Sequence, residues 1–194
     1  MKRIAFYVVC VLAMATAAAA QEKMTFTGTA LIYGSRMNTR TITEPFKMIV
    51  TGETSQADAT KYLSVLKSEG QDELLDAIDS NDLGSFSLGN SVGHDLLAVI
   101  VDKDGGDTRI RAVFQRWLGF GELRRGLRSV DYPFGYVEIR VDPKTGKGMG
   151  TFIPAAKIKF NNSGENGRDT VVIEDFGTFP GRLMGVSMSG RRAG

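Results

Sequence analysis

The chain has one cysteine, one histidine and one tryptophan in 194 residues. A lone cysteine closes no disulfide within the chain, so the fold must be held by burial rather than covalent staples. A lone histidine removes the multi-histidine metal centres, and His94-Asp95 therefore lacks the companions of a metal-dependent hydrolase. Adjacent strand residues also point to opposite faces, which separates that pair. An excess of one charge is missing too, with 24 Lys and Arg against 22 Asp and Glu. Two of the basic residues, Lys2 and Arg3, stand at the very start, and the remainder balances. Global attraction to nucleic acid or to an anionic membrane surface has no basis. Long apolar runs are absent after the first twenty residues, so no membrane span is predicted there.

The opening residues are of another kind. Lys2 and Arg3, the apolar stretch Ile4 to Met14 and the small residues Ala18-Ala19-Ala20 predict a secretory signal over 1–20, cleaved before Gln21. Cys10 lies inside it. The expectation is an exported protein, periplasmic or secreted, whose mature part is a single domain over 21–194 without any thiol. That length suffices for one sizeable core.

Period-two alternation opens this domain, with Met24, Phe26, Gly28, Ala30 and Ile32 on one face and Thr25, Thr27, Thr29, Leu31 and Tyr33 on the other. Thr39 to Thr51 continues in β-like composition, with Pro45 expected at a bend or edge. At Ser55 the period changes: Ala59, Tyr62, Leu63 and Leu66 recur at helical spacing behind a Ser55/Asp58 cap, and Gly70 ends the helix. Leu74, Leu75 and Ile78 predict a second, shorter helix. Asn81 to Gly93 is a polar Gly/Ser-rich connection without a predicted element.

Further strands are predicted at Leu96 to Val101, Thr108 to Trp117, Gly135 to Val141, Gly150 to Phe160, Thr170 to Phe176 and Leu183 to Met188. Tight turns at 102–107 and 142–146 link successive pairs. The expected class is α+β: a mainly antiparallel curved sheet or partly open barrel of about seven or eight strands, with two helices inserted after the second.

Short motifs with chemical meaning fail on context. Asp102, Asp104 and Asp107 are oxygen ligands in number, but the loop lacks the terminal Glu of a calcium-binding hand and its Asp and Gly suit a plain turn. Ser64 to Lys67 fits S-x-x-K and Lys144-Thr145-Gly146 fits K-T-G, yet no S-D-N element accompanies them, and the second falls in a turn. The glycines of 119–126 miss the dinucleotide-binding spacing. No cofactor and no metal is expected.

One local pattern stands out. Arg109, Arg111, Arg116, Arg124, Arg125 and Arg128 are interleaved with Phe114, Trp117 and Phe120 and meet a single acid, Glu122. Arginine among aromatic residues suits recognition of carboxylate, phosphate or sugar. The candidate binding residues are Arg109, Arg111, Arg116, Trp117, Arg124, Arg125, Arg128, Tyr132 and Tyr136. The leading expectation is a non-catalytic exported module that binds a small ligand or an envelope partner. A small hydrolase using paired carboxylates, from Asp102, Asp104 and Asp107 or Glu138 and Asp175, is the first alternative. A structural envelope component with an unpaired edge strand is the second.

Overall fold

The computed structural model describes residues 23–33, 41–116, 128–161, 170–176 and 180–190. Along the chain run β1 (Met24–Ile32), β2 (Ile42–Val50), α1 (Gln56–Ser68), α2 (Gln71–Ile78), β3 (Gly84–Leu88), β4 (His94–Asp104), β5 (Asp107–Gln115), β6 (Phe134–Val141), β7 (Lys147–Asn161), β8 (Thr170–Asp175) and β9 (Gly181–Ser189). A 3-10 turn at Arg128–Asp131 precedes β6. The predicted leader, 1–20, lies outside the described residues. No helix among those described is long and apolar enough to cross a membrane.

Every strand pair is antiparallel, in the order β6-β5-β4-β3-β2-β1-β9-β7-β8, and β6 also pairs with β7. That extra pairing makes a closed ring of eight strands rather than the partly open barrel expected. The ninth strand, β8, stands outside the ring. It pairs with the far half of β7, from Ala156 to Asn161, after β7 has passed its pairings with β6 and β9. The stretch from Asn81 to Gly93, expected as a mere connection, contributes β3 to the ring. Phe86 points into the core there while Ser85 and Ser87 alternate with it, and β2 and β4 supply the missing neighbours.

Alternation explains the closed interior. Phe26, Met48, Val99, Ile110, Ala112, Val137, Ile139, Leu183 and Val186 are wholly or almost wholly buried in one core. Four phenylalanines crowd one end, with Phe86 at ring-centroid distances of 6.1 Å from Phe46, 5.5 Å from Phe114 and 5.2 Å from Phe152. Gly135 on β6 makes room for this cluster, since a Cβ there would fall inside the Phe114 ring. Eight strands enclose a space that side chains can fill or one small ligand can occupy. Here an apolar core of inward-facing side chains lines it.

The β4–β5 hairpin turns through Gly105 and Gly106, both in the left-handed region at φ +63° and +112°. Asp and Gly are in the 102–107 stretch for this reversal, as the sequence predicted.

Both helices lie in the β2–β3 connection and build a second core on the outside of the barrel wall. Leu66, Leu74 and Ile78 meet Leu97, Phe134, Ile153, Ala156 and Ile158 there. Ser55 caps α1, its Oγ accepting from the Asp58 amide at 3.1 Å. α2 is pinned at both ends. The Gln71 side chain donates to the Asp131 carbonyl (2.9 Å) and accepts from the Ile158 amide (3.3 Å), and Asn81 donates to the Leu97 carbonyl at 2.9 Å. α1 buries only Leu66. α2 is the more fully buried of the two.

Candidate functional site

The space that α1 leaves is a cleft of about 290 Å³. Its roof is Ala59, Tyr62, Leu63 and Leu66 of α1 with Leu74 and Ile78 of α2; its floor is the outer wall of β4, β5 and β6, and Ile158, Val171 and Ile173 form one side. This volume sits at the lower edge of the roughly 300 to 1,000 Å³ typical of small-molecule sites.

The register of the floor gives the cleft a direction. Outward-facing residues form three rows across β4, β5 and β6: Ala98–Val113–Tyr136, then Ile100–Arg111–Glu138, then Asp102–Arg109–Arg140. Each row is two residues further along the strands, about 6.6 Å at the usual rise. Over two such steps, about 13 Å, the wall changes from mainly apolar to fully charged.

At the charged end Arg109 donates through Nε and Nη2 to both oxygens of Asp102, at 2.8 and 3.0 Å, and through Nη1 to Asp104 at 3.4 Å. Arg111 Nη2 reaches the same Asp102 at 2.6 Å. Arg140 pairs with Asp104 at 2.9 Å and Glu138 at 3.0 Å, and the Tyr136 hydroxyl donates to Glu138 at 2.9 Å. The hydrogen bond from Arg109, helped by the charge of Arg111, holds the Asp102 carboxyl below its ordinary pKa. Burial first, and then the Glu138 charge, pushes the Tyr136 phenol up. Three guanidinium groups thus face three carboxylates.

Arg109, Arg111 and Tyr136, all named from sequence, therefore come together in this cleft. Arg116 and Tyr132 do not join them. Arg116 donates to the carbonyls of Tyr132 and Ser129, each at 2.6 Å, and so holds the approach to β6. Tyr132 donates to Glu174 at 2.7 Å and packs on Phe176. Trp117, Arg124 and Arg125 lie outside the described residues, and of Arg128 only the backbone is placed, at the start of the 3-10 turn. Sequence reasoning missed the helical half of the site: Ala59, Tyr62 and Leu63 carry the periodicity of an ordinary core face. The one available signal was that α1 offers few large apolar residues for its thirteen positions.

Three of the five carboxylates of the hydrolase alternative are paired with arginine. Asp102, Asp104 and Glu138 each bond to arginine, and a general acid needs a raised pKa where Asp102 has a lowered one. Among the described residues no group of three His, Cys, Asp or Glu is placed to hold a metal. The K-T-G residues cap a turn, Asp142 accepting from the Lys144 amide at 2.7 Å and from the Thr145 hydroxyl at 3.1 Å.

A second recess, of about 270 Å³, opens at one barrel end over Phe86, Phe114 and Phe152, with His94, Ser91 and Arg116 at its rim. Its walls are the packed aromatic cluster itself. His94 lies 4.8 Å from the Phe114 ring, and burial lowers its pKa against a hydrogen bond with the Gln115 backbone that raises it. Compared with known proteins, the chain matches no family model, no curated protein and no solved structure.

Proposed function

We propose that the chain is an exported, non-catalytic binding module whose small-ligand site is the cleft between α1 and the outer wall of β4, β5 and β6. The observation that carries this is a concentration of exposed apolar side chains at one place. Leu63, Ile100 and Val171 keep 40, 42 and 44% of their surface in water while lining the same cleft. Scattered apolar residues need no explanation, but a concave set with polar groups at one end is the form of a ligand site. The pairing of Asp102, Asp104 and Glu138 with arginine favours binding over hydrolysis at this cleft. The leader that the sequence predicts over 1–20 is the ground for proposing export.

The test is to fill the cleft. Ala98→Leu adds apolar volume at the floor without touching the barrel interior. Nile red fluorescence should rise with the native protein and fall to near background with the variant, at unchanged thermal stability. Equal fluorescence from both proteins would place the binding surface elsewhere.

An envelope partner is the second reading, favoured by β8, which pairs only with β7 among the described strands and exposes Val172. An edge lysine blocks strand addition. Val172→Lys should then reduce association in sedimentation experiments and leave Nile red binding intact.

A further inference from the structure

The polar groups that line the cleft are not equally occupied. Thr54 Oγ1 accepts from the Val99 amide at 3.0 Å, the Tyr62 hydroxyl accepts from Asn81 at 3.0 Å, and the Tyr136 hydroxyl donates to Glu138. Arg109 spends Nε, Nη1 and Nη2 on Asp102 and Asp104. Arg111 differs. Its Nη2 is held by Asp102, but its Nη1 meets no hydrogen-bond acceptor among the described residues, and 35% of the side chain remains in water. Because Nε is enclosed, Nη1 is the edge of this guanidinium that a ligand can reach.

The charges that line the cleft are uneven as well. Arg109 and Arg111 face it with Glu138 as the one lining carboxylate, and Glu138 is itself taken by Arg140 and Tyr136. Arginine pairs most readily with a carboxylate, and the water around these ion pairs spares an entering anion full desolvation. One row further along the floor, about 6.6 Å away, the lining is Ala98 and Val113 under Leu63 and Leu66. An alkyl chain finds apolar contact there. A cleft of about 290 Å³ suits one such chain.

We infer that the ligand is a single-chain amphiphile of the medium-chain carboxylate type, its head on Arg111 Nη1 at the wet end and its tail under α1. This inference rests on the cleft being the ligand site.

Four probes divide the contributions: hexanoate, octanoate, 1-octanol and octyltrimethylammonium, titrated into the folded protein and followed by the carbon-13 methyl signals of Leu63, Ile100 and Val171. Each CH2 added between hexanoate and octanoate should raise affinity by up to about fourfold. A partly exposed ion pair corresponds to up to about fivefold, so octanoate should bind tighter than 1-octanol by about that factor, with octyltrimethylammonium weakest. Arg111→Gln leaves Asp102 its bonds with Arg109; it should erase the advantage of octanoate over 1-octanol and leave 1-octanol unchanged. In the native protein that advantage should also shrink with added salt, a readout that needs no variant. Equal binding of hexanoate and octanoate, binding of 1-octanol or the cation at least as tight as octanoate, an advantage insensitive to salt, or one that survives in Arg111→Gln would overturn the inference while leaving the cleft as a site. If no probe moves those three methyl signals, the cleft reading itself falls, and the inference with it.

Discussion

The two faces of β4, β5 and β6 are made by the same strands and do different work. Inward, Val99, Ile110, Ala112, Val137 and Ile139 are fully buried and uniformly apolar. Outward, the same segments present Ile100, Arg111 and Glu138 in one row and Asp102, Arg109 and Arg140 in the next. Alternation assigns each residue to one face and makes the two independently adjustable. The apolar interior carries stability, and the roof that α1 holds above the outer face leaves that side free for a ligand. An eight-stranded barrel is a familiar container, but in this one the interior is lined by a packed apolar core and the candidate site is on its flank.

That contrast can be broken from the inside first. Phe86→Ala removes the ring that touches three other phenylalanines and should cost about 3 to 5 kcal/mol, the usual loss for a buried aromatic side chain. Urea unfolding would show it as a lower midpoint at similar slope. A loss below about 1 kcal/mol would mean that the interior is not the stabilising face.

On the outer face the effect should be smaller and dependent on pH. Asp102→Asn leaves Arg109 and Arg111 without their shared carboxylate, yet the network is open to water, so the loss is about 1 kcal/mol or less at neutral pH. Because the folded pKa of Asp102 is depressed, its contribution is complete above the unfolded value of about 3.9 and fades as pH falls through the folded value. The difference between native and variant stability should therefore vanish in strong acid and persist at pH 7. A constant difference across that range would remove the ion pairs from the account.

The smallest effect belongs to His94, at the rim of the barrel. Its folded pKa is also lowered, so the unfolded chain takes up its proton first, and stability falls as pH drops from about 6.5 toward the folded value. His94→Gln should flatten the unfolding midpoint against pH in that window and nowhere above it. A slope that survives the change would assign it to another group.

Much of this architecture was legible. The alternation of β1, the Ser55 cap, the glycine between α1 and α2 and the 102–107 reversal are each written in a few consecutive residues. β3 was not, because five residues with two serines look like a loop until β2 and β4 flank them. Nor was closure, which depends on β7 running fifteen residues and serving β6, β9 and β8 in turn. The arginine run was legible as a cluster, but alternation and loop placement divide it. Arg109 and Arg111 face the cleft while Arg116 turns to the carbonyls before β6.

By itself, then, the sequence determined what short-range physics controls: period, caps, turns, a balanced charge and the lack of any disulfide. Only the tertiary structure decided that the barrel closes around an apolar core and that a cleft remains outside it. The reason is distance along the chain. Arg109, Arg111 and Glu138 meet under Leu63 only after three strands have registered and a helix pair inserted far upstream has folded back over them, and no local pattern encodes those encounters.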